Sequence, residues 1–198
     1  MSIPQHLWLF MAWILFGFLH SFLASGKVKT RISFLLHEHF RYYKLGYSFF
    51  NAALLAFIAW YNFSITSIIL WEITEFQKYF SGITGLAGLL IMLICIRKYF
   101  IDLSGIGVLL KRAPADHMQI NGFNKYVRHP LYAATLLFTW SIFFWSPLLS
   151  NLISASCIHI YTLIGISFEE KKLIQFFGNA YAEYASVVPK LIPKLFTT

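Results

Sequence analysis

Long apolar segments without charged side chains constrain this chain more than any other feature. No Asp, Glu, Lys or Arg occurs in 6–24 or in 131–168. A helix that crosses the hydrocarbon core of a bilayer needs about 20 mostly apolar residues. Charged residues make up only 12% of the chain, whereas a soluble domain carries about a quarter. We therefore predict an all-α integral membrane protein, and the composition excludes soluble, disordered, coiled-coil and disulfide-scaffold proteins.

Five segments are apolar and long enough to be predicted transmembrane helices, with approximate bounds 6–24, 46–70, 80–96, 131–149 and 150–168. The first has no basic residue before Lys27, so it is predicted to be a retained span, with signal-peptide cleavage near Ala24 as the alternative. The last two are predicted to form a helical hairpin that is interrupted by Ser146-Pro147 and Ser150-Asn151.

The basic residues predict the orientation of these spans. Of the 16 Lys and Arg residues, all except Lys78 lie in the first connection, the third connection or the C-terminal tail. Positive residues gather on the cytoplasmic side of membrane proteins, so the N-terminus is predicted outside and the C-terminal helical tail in the cytoplasm of a bacterial inner membrane. The net charge of +8 then indicates contact with membrane lipids, and no nucleic-acid partner is predicted because no recognition motif is present.

A basic cluster precedes the fourth predicted span in the sequence Arg128-His129-Pro130-Leu131-Tyr132. Proline fits the first turn of a helix because that turn needs no amide hydrogen from it, so Pro130 is predicted to start the span. Arg128, His129 and Tyr132 then lie at a helix N-terminus, where backbone amides and the helix dipole favour an anion. The alternative is a basic interfacial anchor with an aromatic residue.

An acidic pair, Glu169-Glu170, follows the fifth predicted span on the basic side of the membrane. Adjacent carboxylates repel one another, so a cationic partner is expected close to them. The alternative is a solvated helix end balanced by Lys171 and Lys172.

The chain after this pair is predicted to form a second, shorter helix. Gly178 is predicted to end the preceding helix, and Tyr181 and Tyr184 have the spacing of one helix face. Pro189 and Pro193 predict an extended segment beyond it.

Sequence patterns of several other sites are missing from the chain. The histidines and the two cysteines form no HExxH or CxxC unit, so no metal site is predicted. There is also no GxSxG, Walker or GxGxxG motif. Gly82, Gly85 and Gly88 are predicted to form a small-residue face that lets helices approach closely. His20 and His159, inside predicted spans, are expected to make structural hydrogen bonds.

An ordered set of motifs in 121–193 resembles the isoprenylcysteine carboxyl methyltransferase and phospholipid methyltransferase superfamily. The stretch 161–170, YTLIGISFEE, looks most like the methanethiol S-methyltransferase branch, and LHSFLAS at 19–25 is similar to that branch and to NnrU-like membrane proteins. The motifs are Gly122, Tyr126, Arg128-His129-Pro130-x-Tyr132, Glu169-Glu170-x-x-Leu173, Phe177-Gly178-x-x-Tyr181-x-x-Tyr184 and Val188-Pro189-x-x-Ile192-Pro193.

The resemblance implies an integral membrane enzyme that uses S-adenosyl-L-methionine. It implies cofactor contacts from the histidine, the tyrosines and one of the two glutamates of these motifs: His129, Tyr132, Tyr126, Glu169 or Glu170, Tyr181 and Tyr184. It also implies one membrane domain, 1–198, with an N-terminal three-helix part, 1–100, and a cofactor-binding part, 101–198. Two positions depart from the pattern. Isoprenylcysteine enzymes often carry an arginine where this chain has Gly165, and Ala134 replaces a common glycine.

Methyl transfer joins a sulfonium and a nucleophile, so positioning and exclusion of water supply much of the rate. A thiol must first lose its proton, and Glu170 is the predicted base ahead of His129, with Arg128 in the same catalytic group. The predicted function is therefore methyl transfer to a small lipophilic acceptor, with a methanethiol-like thiol first. The alternatives are a prenylcysteine carboxylate, a lipid amine, and a non-enzymatic NnrU-like accessory protein.

Overall fold

The computed structural model describes residues 3–104, 118 and 120–194. These residues form seven α-helices and two short 3₁₀ segments, and among them no β-strand occurs apart from an isolated antiparallel bridge between Ile69 and Leu148. The helices are α1 Ile3–Ala24, α2 Gly26–Leu36, α3 Tyr43–Ser64, α4 Glu75–Ser104, α5 Pro130–Trp145, α6 Leu149–Phe177 and α7 Asn179–Val187, and the 3₁₀ segments are His37–Tyr42 and Gly122–Lys125. The predicted all-α fold is confirmed for this part of the chain.

Three of the described helices are long and apolar enough to cross a membrane, Ile3–Ala24, Glu75–Lys98 and Leu149–Phe177, whereas Pro130–Trp145 is a shorter apolar helix. Large apolar side chains face outward along these helices; Phe18, Phe76 and Ile83, for example, are 61%, 77% and 69% exposed. Such surfaces suit lipid rather than water. The chain is thus a helical membrane protein, and the count of five spans stays a prediction.

The end of the second predicted span and the start of the third differ from the structure. The second predicted span, 46–70, corresponds to α3, which ends at Ser64. The chain beyond it is extended because Leu70 N donates to Pro147 O and Leu149 N donates to Ile68 O. In contrast, α4 begins at Glu75 rather than near 80, because the amide and side chain of Thr74 exchange hydrogen bonds with Gln77 in a capping box.

The break between α5 and α6 lies at Ser146-Pro147, as predicted, but Ser150-Asn151 lies inside α6. These two residues serve hydrogen bonds between segments instead of a turn. Ser150 N donates to Ser67 Oγ at 2.9 Å, and Asn151 Oδ1 accepts from Asn62 Nδ2 at 2.9 Å.

The described residues divide into two compact units. The first comprises those within 1–71, 98–114 and 147–157. Its interior contains a polar network: Asn62 Oδ1 accepts from Ser154 Oγ, which accepts in turn from Trp13 Nε1, both at 2.8 Å. Since lipid offers no hydrogen bonds, polar side chains buried in this way hold helices together.

The second unit comprises the described residues within 72–97, 115–146 and 158–198. The predicted glycine face of α4 lies against α5. A Cβ placed on Gly88 would lie 2.9 Å from Phe138 N, one on Gly85 would lie 3.2 Å from Ser141 Cβ, and one on Gly82 would meet Trp145. The absence of side chains thus permits a close contact between two helix backbones.

The two histidines inside predicted spans can be compared with the structure. His159 Nδ1 accepts from Trp140 Nε1 at 3.1 Å, and the His20 ring packs 5.5 Å from the Tyr47 ring. Within the third connection, 105–117 and 119 lie outside the described residues. The division of the chain into 1–100 and 101–198 stays a prediction.

A candidate methyl-transfer site

The second unit brings the start of α5, the end of α6, α7 and the segment after α7 together. Pro130 occupies the first turn of α5, and His129 is its N-cap residue. On α6, which continues to Phe177, lie Glu169 and Glu170. Gly178 then takes a positive φ of 57°, which a residue without a Cβ adopts at little cost, and α7 begins at the next residue. The predicted Pro130 start and Gly178 end are both confirmed.

Arg128 and Glu170 form the centre of this site. Arg128 Nε and Nη2 lie 2.9 and 2.8 Å from Glu170 Oε1. The two side chains are only 8% and 14% exposed. At such a buried position, hydrogen bonds between charged groups are stronger than hydrogen bonds between neutral groups. The cation that the acidic pair was expected to require is thus present.

Two further groups surround the same carboxylate. Lys190 Nζ lies 3.1 Å from Glu170 Oε2, and His129 Nε2 lies 3.3 Å from Glu170 Oε1. Both oxygens of the Glu170 carboxylate therefore lie within hydrogen-bond distance of a basic side chain. Lys190 was not singled out from the sequence, where a single lysine between two prolines gives no signal of its own.

The segment after α7 is held against the start of α5 by the same residues. Arg128 N donates to Pro189 O at 2.8 Å, and His129 N donates to Lys190 O at 3.1 Å. The Arg128 Nη1 atom donates to Ala185 O at 2.6 Å and also to Val188 O. Arg128 thereby connects α6, α7 and the segment that follows α7.

His129 lies between the acidic pair and an aromatic ring. It is buried, its ring stacks on Tyr132 with 5.6 Å between centroids, and its Nδ1 lies 3.9 Å from Glu169 Oε2. The structure therefore brings Arg128 and His129 together with Glu170, another predicted site residue, which lies 42 and 41 positions further along the chain.

Two buried polar atoms of this site have no hydrogen-bond partner among the described residues, Glu169 Oε2 and the Tyr181 hydroxyl. Tyr181 is only 2% exposed. Burial, with a contribution from the Glu170 carboxylate, raises the pKa of Tyr181 to about 12, so the phenol is neutral at physiological pH. Because a buried polar atom without a partner costs about 1–3 kcal/mol, both atoms are places where a bound ligand would be stabilised.

The remaining two predicted residues have different surroundings. Tyr184 Oη donates to Asn124 O at 2.6 Å, which fastens α7 to the 3₁₀ segment before α5. Tyr126, by contrast, is 65% exposed. No group of three or more His, Cys, Asp and Glu residues suited to a metal ion occurs in the part of the chain that the structure describes.

Comparison with curated proteins supports the resemblance seen in the motifs. The chain is 42% identical over 74 residues to methanethiol S-methyltransferase of Crocosphaera subtropica (strain ATCC 51142 / BH68), which is 36% of this chain and 27% of that protein. It is 37% identical over 71 residues to methanethiol S-methyltransferase 1 of Bradyrhizobium diazoefficiens, which is 35% of this chain and 24% of the relative. The methanethiol S-methyltransferase of Pseudomonas deceptionensis is 38% identical over 73 residues, 36% of this chain and 26% of that enzyme.

These matches span about a quarter of the length of the relatives and about a third of this chain. No family model matches the chain. No solved structure matches it significantly either. Within the matched third, the predicted similarity to the methanethiol S-methyltransferase branch is confirmed.

Proposed function

We propose that this chain is a membrane methyltransferase that transfers a methyl group from S-adenosyl-L-methionine to a small lipophilic thiol similar to methanethiol. The similarity to methanethiol S-methyltransferases supports the reaction. The observation that carries the proposal is the buried cluster around Glu170, which lies beside two polar atoms that have no hydrogen-bond partner among the described residues.

The residues of this cluster fit the proposed methyl donor. When bound, S-adenosyl-L-methionine supplies a methyl group activated by a positively charged sulfonium. Its positively charged amino and sulfonium groups can pair with a carboxylate, and its own carboxylate can accept from a hydrogen-bond donor. Its adenine can stack on aromatic rings. Glu169 Oε2 and the Tyr181 hydroxyl, which have no hydrogen-bond partner in the described part of the chain, can bind it, and His129 and Tyr132 offer stacked aromatic rings. Tyr126 and Tyr184 complete the proposed cofactor contacts.

The proton of the thiol is best taken by His129. Glu170 already accepts from Arg128, Lys190 and His129, and three donors on one carboxylate reduce its basicity. The imidazole of His129 can receive the proton from sulfur, and the Glu170 carboxylate then stabilises the resulting imidazolium. Glu170 stays in the catalytic group through its contact with that imidazole, whereas Arg128 is proposed to act as a positioning residue.

The membrane arrangement belongs to the same proposal. We place five spans in the bilayer, with α3 and the short α5 joining the three helices that are both long and apolar enough by themselves. The N-terminus is outside and α7 lies on the cytoplasmic side of a bacterial inner membrane, in one domain with the cofactor part at 101–198. An apolar thiol can then reach the cluster through the lipid, while the charged donor enters from water.

Calorimetric titration of the detergent-purified full chain with S-adenosyl-L-methionine and S-adenosyl-L-homocysteine tests the proposal. Saturable binding is expected for the unaltered chain and for Glu183→Gln, a matched change at an exposed carboxylate of α7. Glu170→Gln and His129→Ala are expected to lose methyl transfer to methanethiol, measured as dimethyl sulfide released. Circular dichroism confirms that each variant is folded.

Three results would change the conclusion. A folded chain that binds neither compound would overturn the enzyme proposal in favour of an NnrU-like accessory protein. Binding with methylation of a prenylcysteine carboxylate or a lipid amine, but not of thiols, would overturn the acceptor alone. Full activity in both variants would overturn the site assignment.

A further inference from the structure

The first unit contains a cleft formed by α1, α2, the 3₁₀ segment His37–Tyr42 and the start of α3. It is a cleft of about 450 Å³. Its walls are mainly aromatic and aliphatic, and they include Leu23, Leu36, Tyr42, Tyr43, Tyr47 and Phe50. The methyl-transfer proposal uses none of these residues.

The wall of this cleft is fixed by hydrogen bonds at the end of α1. Tyr43 Oη donates to Leu23 O at 2.8 Å, and Tyr47 Oη donates to His20 O at 3.2 Å. The Leu23 carbonyl lies in the last turn of α1, where intrahelical donors are missing, and the His20 carbonyl lies just before that turn. Tyr43 therefore satisfies a carbonyl at the helix end, and its bond and that of Tyr47 hold both rings in the wall of the cleft.

The chain beside the cleft combines exposed apolar and exposed basic side chains. Phe34 and Leu35, next to the cleft residue Leu36, are 73% and 79% exposed. Between Ser25 and Tyr47 the sequence has five basic residues, Lys27, Lys29, Arg31, Arg41 and Lys44, all exposed, against one acidic residue, Glu38. Arg41 also lies over the ring of the cleft residue Tyr42, 4.7 Å from its centroid.

We infer that this cleft binds an anionic phospholipid. Acyl chains are apolar and match the cleft wall, while a phosphate with net negative charge matches the excess of basic side chains on the same segment. Short helices that carry both kinds of side chain lie in the interface of anionic membranes. Because α1 is long enough to cross the bilayer and ends at Ala24, α2 begins where the headgroups lie.

Gly46 offers a way to block the cleft without breaking the fold. It lines the cleft within α3, and a Cβ placed on it meets no atom within 4 Å. Gly46→Leu therefore has room for its side chain in the cleft. Replacing glycine inside a helix also favours the helix, so the variant should fold. Gly46→Ala is the matched control, because it has the same helix benefit and adds only one methyl group.

The experiment is native mass spectrometry of the detergent-purified full chain with phosphatidylglycerol, and separately with phosphatidylcholine that has the same acyl chains. The unaltered chain and Gly46→Ala should retain phosphatidylglycerol in preference to phosphatidylcholine. Gly46→Leu should lose most of this retention. Lys27→Gln/Arg31→Gln should weaken it about twenty-fivefold, since each of the two basic residues at an anionic surface contributes about fivefold, whereas Lys171→Gln/Lys172→Gln should not.

Equal retention of both lipids would overturn the anionic preference. Unchanged retention by Gly46→Leu would overturn the cleft as the binding place. A comparable loss in Lys171→Gln/Lys172→Gln would show general surface attraction and would also overturn the inference. Each result is a binding measurement and does not depend on methyl transfer.

Discussion

Arg128 and Glu170 are 42 residues apart in the chain, yet two nitrogens of the guanidinium lie within 2.9 Å of one carboxylate oxygen. The remaining terminal nitrogen of Arg128 donates to carbonyls of α7 and of the residue that follows it. One side chain thus determines where the end of α6 and the C-terminal segment lie.

Replacing Arg128 should release the C-terminal segment. Arg128→Ala leaves Glu170 sheltered without its main partner and removes the donors to Ala185 O and Val188 O. Loss of one partner from a buried pair costs about 3–5 kcal/mol, and because Lys190 remains we expect the lower end. Limited proteolysis should cut the segment after α7 faster than in the unaltered chain.

The matched variant is Lys125→Ala, which removes a basic residue from the neighbouring 3₁₀ segment. It should be cut at the unaltered rate. If Arg128→Ala were as resistant as Lys125→Ala, Arg128 would not position this segment.

Much of this site could be predicted because its parts are local. Proline in a first helical turn located the start of α5, and glycine located the end of α6. Adjacent carboxylates required a cation, and the structure supplies Arg128. Each of these predictions depends on a few neighbouring residues and on strong backbone or charge preferences.

Other features depend on contacts that no local pattern records. Lys190 reaches Glu170 only because α7 turns the chain back. Ser150-Asn151 has the composition of a turn, but its polar groups are used by Ser67 and Asn62. The extended end of the second predicted span likewise follows from its hydrogen bonds with the chain around Pro147. Hydropathy counts apolar residues and does not detect partners far along the chain.

Removing the Tyr181 hydroxyl should separate ligand binding from stability. The hydroxyl is buried without a partner among the described residues, so Tyr181→Phe should leave thermal stability unchanged or raise it. If the hydroxyl contacts the methyl donor, affinity for S-adenosyl-L-homocysteine should fall about fivefold to tenfold, the usual effect of one hydrogen bond. Calorimetry and thermal unfolding of the same preparations measure both. Unchanged affinity would exclude the hydroxyl from the proposed cofactor contacts.

Tyr181→Phe should also change how the stability of the folded chain depends on pH in the alkaline range. Burial, followed by the Glu170 carboxylate, raises the pKa of Tyr181 to about 12 in the folded chain, above the ordinary value of about 10. The folded chain therefore binds the phenol proton of Tyr181 more strongly than the unfolded chain does. This difference favours the folded chain fully below about pH 10, and the advantage is lost as the pH rises towards 12. Thermal unfolding between pH 9 and pH 12, at about half-unit steps, should show a smaller fall for Tyr181→Phe. Parallel curves for the two proteins would contradict the shift.

A side chain at Gly88 should destabilise the contact between α4 and α5. In Gly88→Ala the new Cβ would lie 2.9 Å from Phe138 N and 3.1 Å from Ala134 O. These are backbone atoms, so the helices must move apart, and overpacking of this kind costs about 1–3 kcal/mol. Gly165→Ala is the control within a helix, because its Cβ meets no atom within 4 Å. Denaturant titration in detergent should show a lower free energy of unfolding for Gly88→Ala and an unchanged or slightly higher one for Gly165→Ala. Equal changes in the two variants would contradict the close approach of α4 and α5.

Asn62 should contribute more to the stability of the first unit than Asn51, which lies on the same helix. Both are buried in α3, but Asn62 donates to Asn151 and accepts from Ser154. Asn51 donates within its own helix to Tyr47 O, and its Oδ1 has no partner among the described residues. Hydrogen bonds between membrane helices contribute about 0.6 kcal/mol each and at most about 1.7. Asn62→Leu should therefore cost about 1–2 kcal/mol in the free energy of unfolding, and Asn51→Leu should cost less or stabilise the fold. Denaturant titration in detergent measures the difference, and a larger loss for Asn51→Leu would contradict the role of the network.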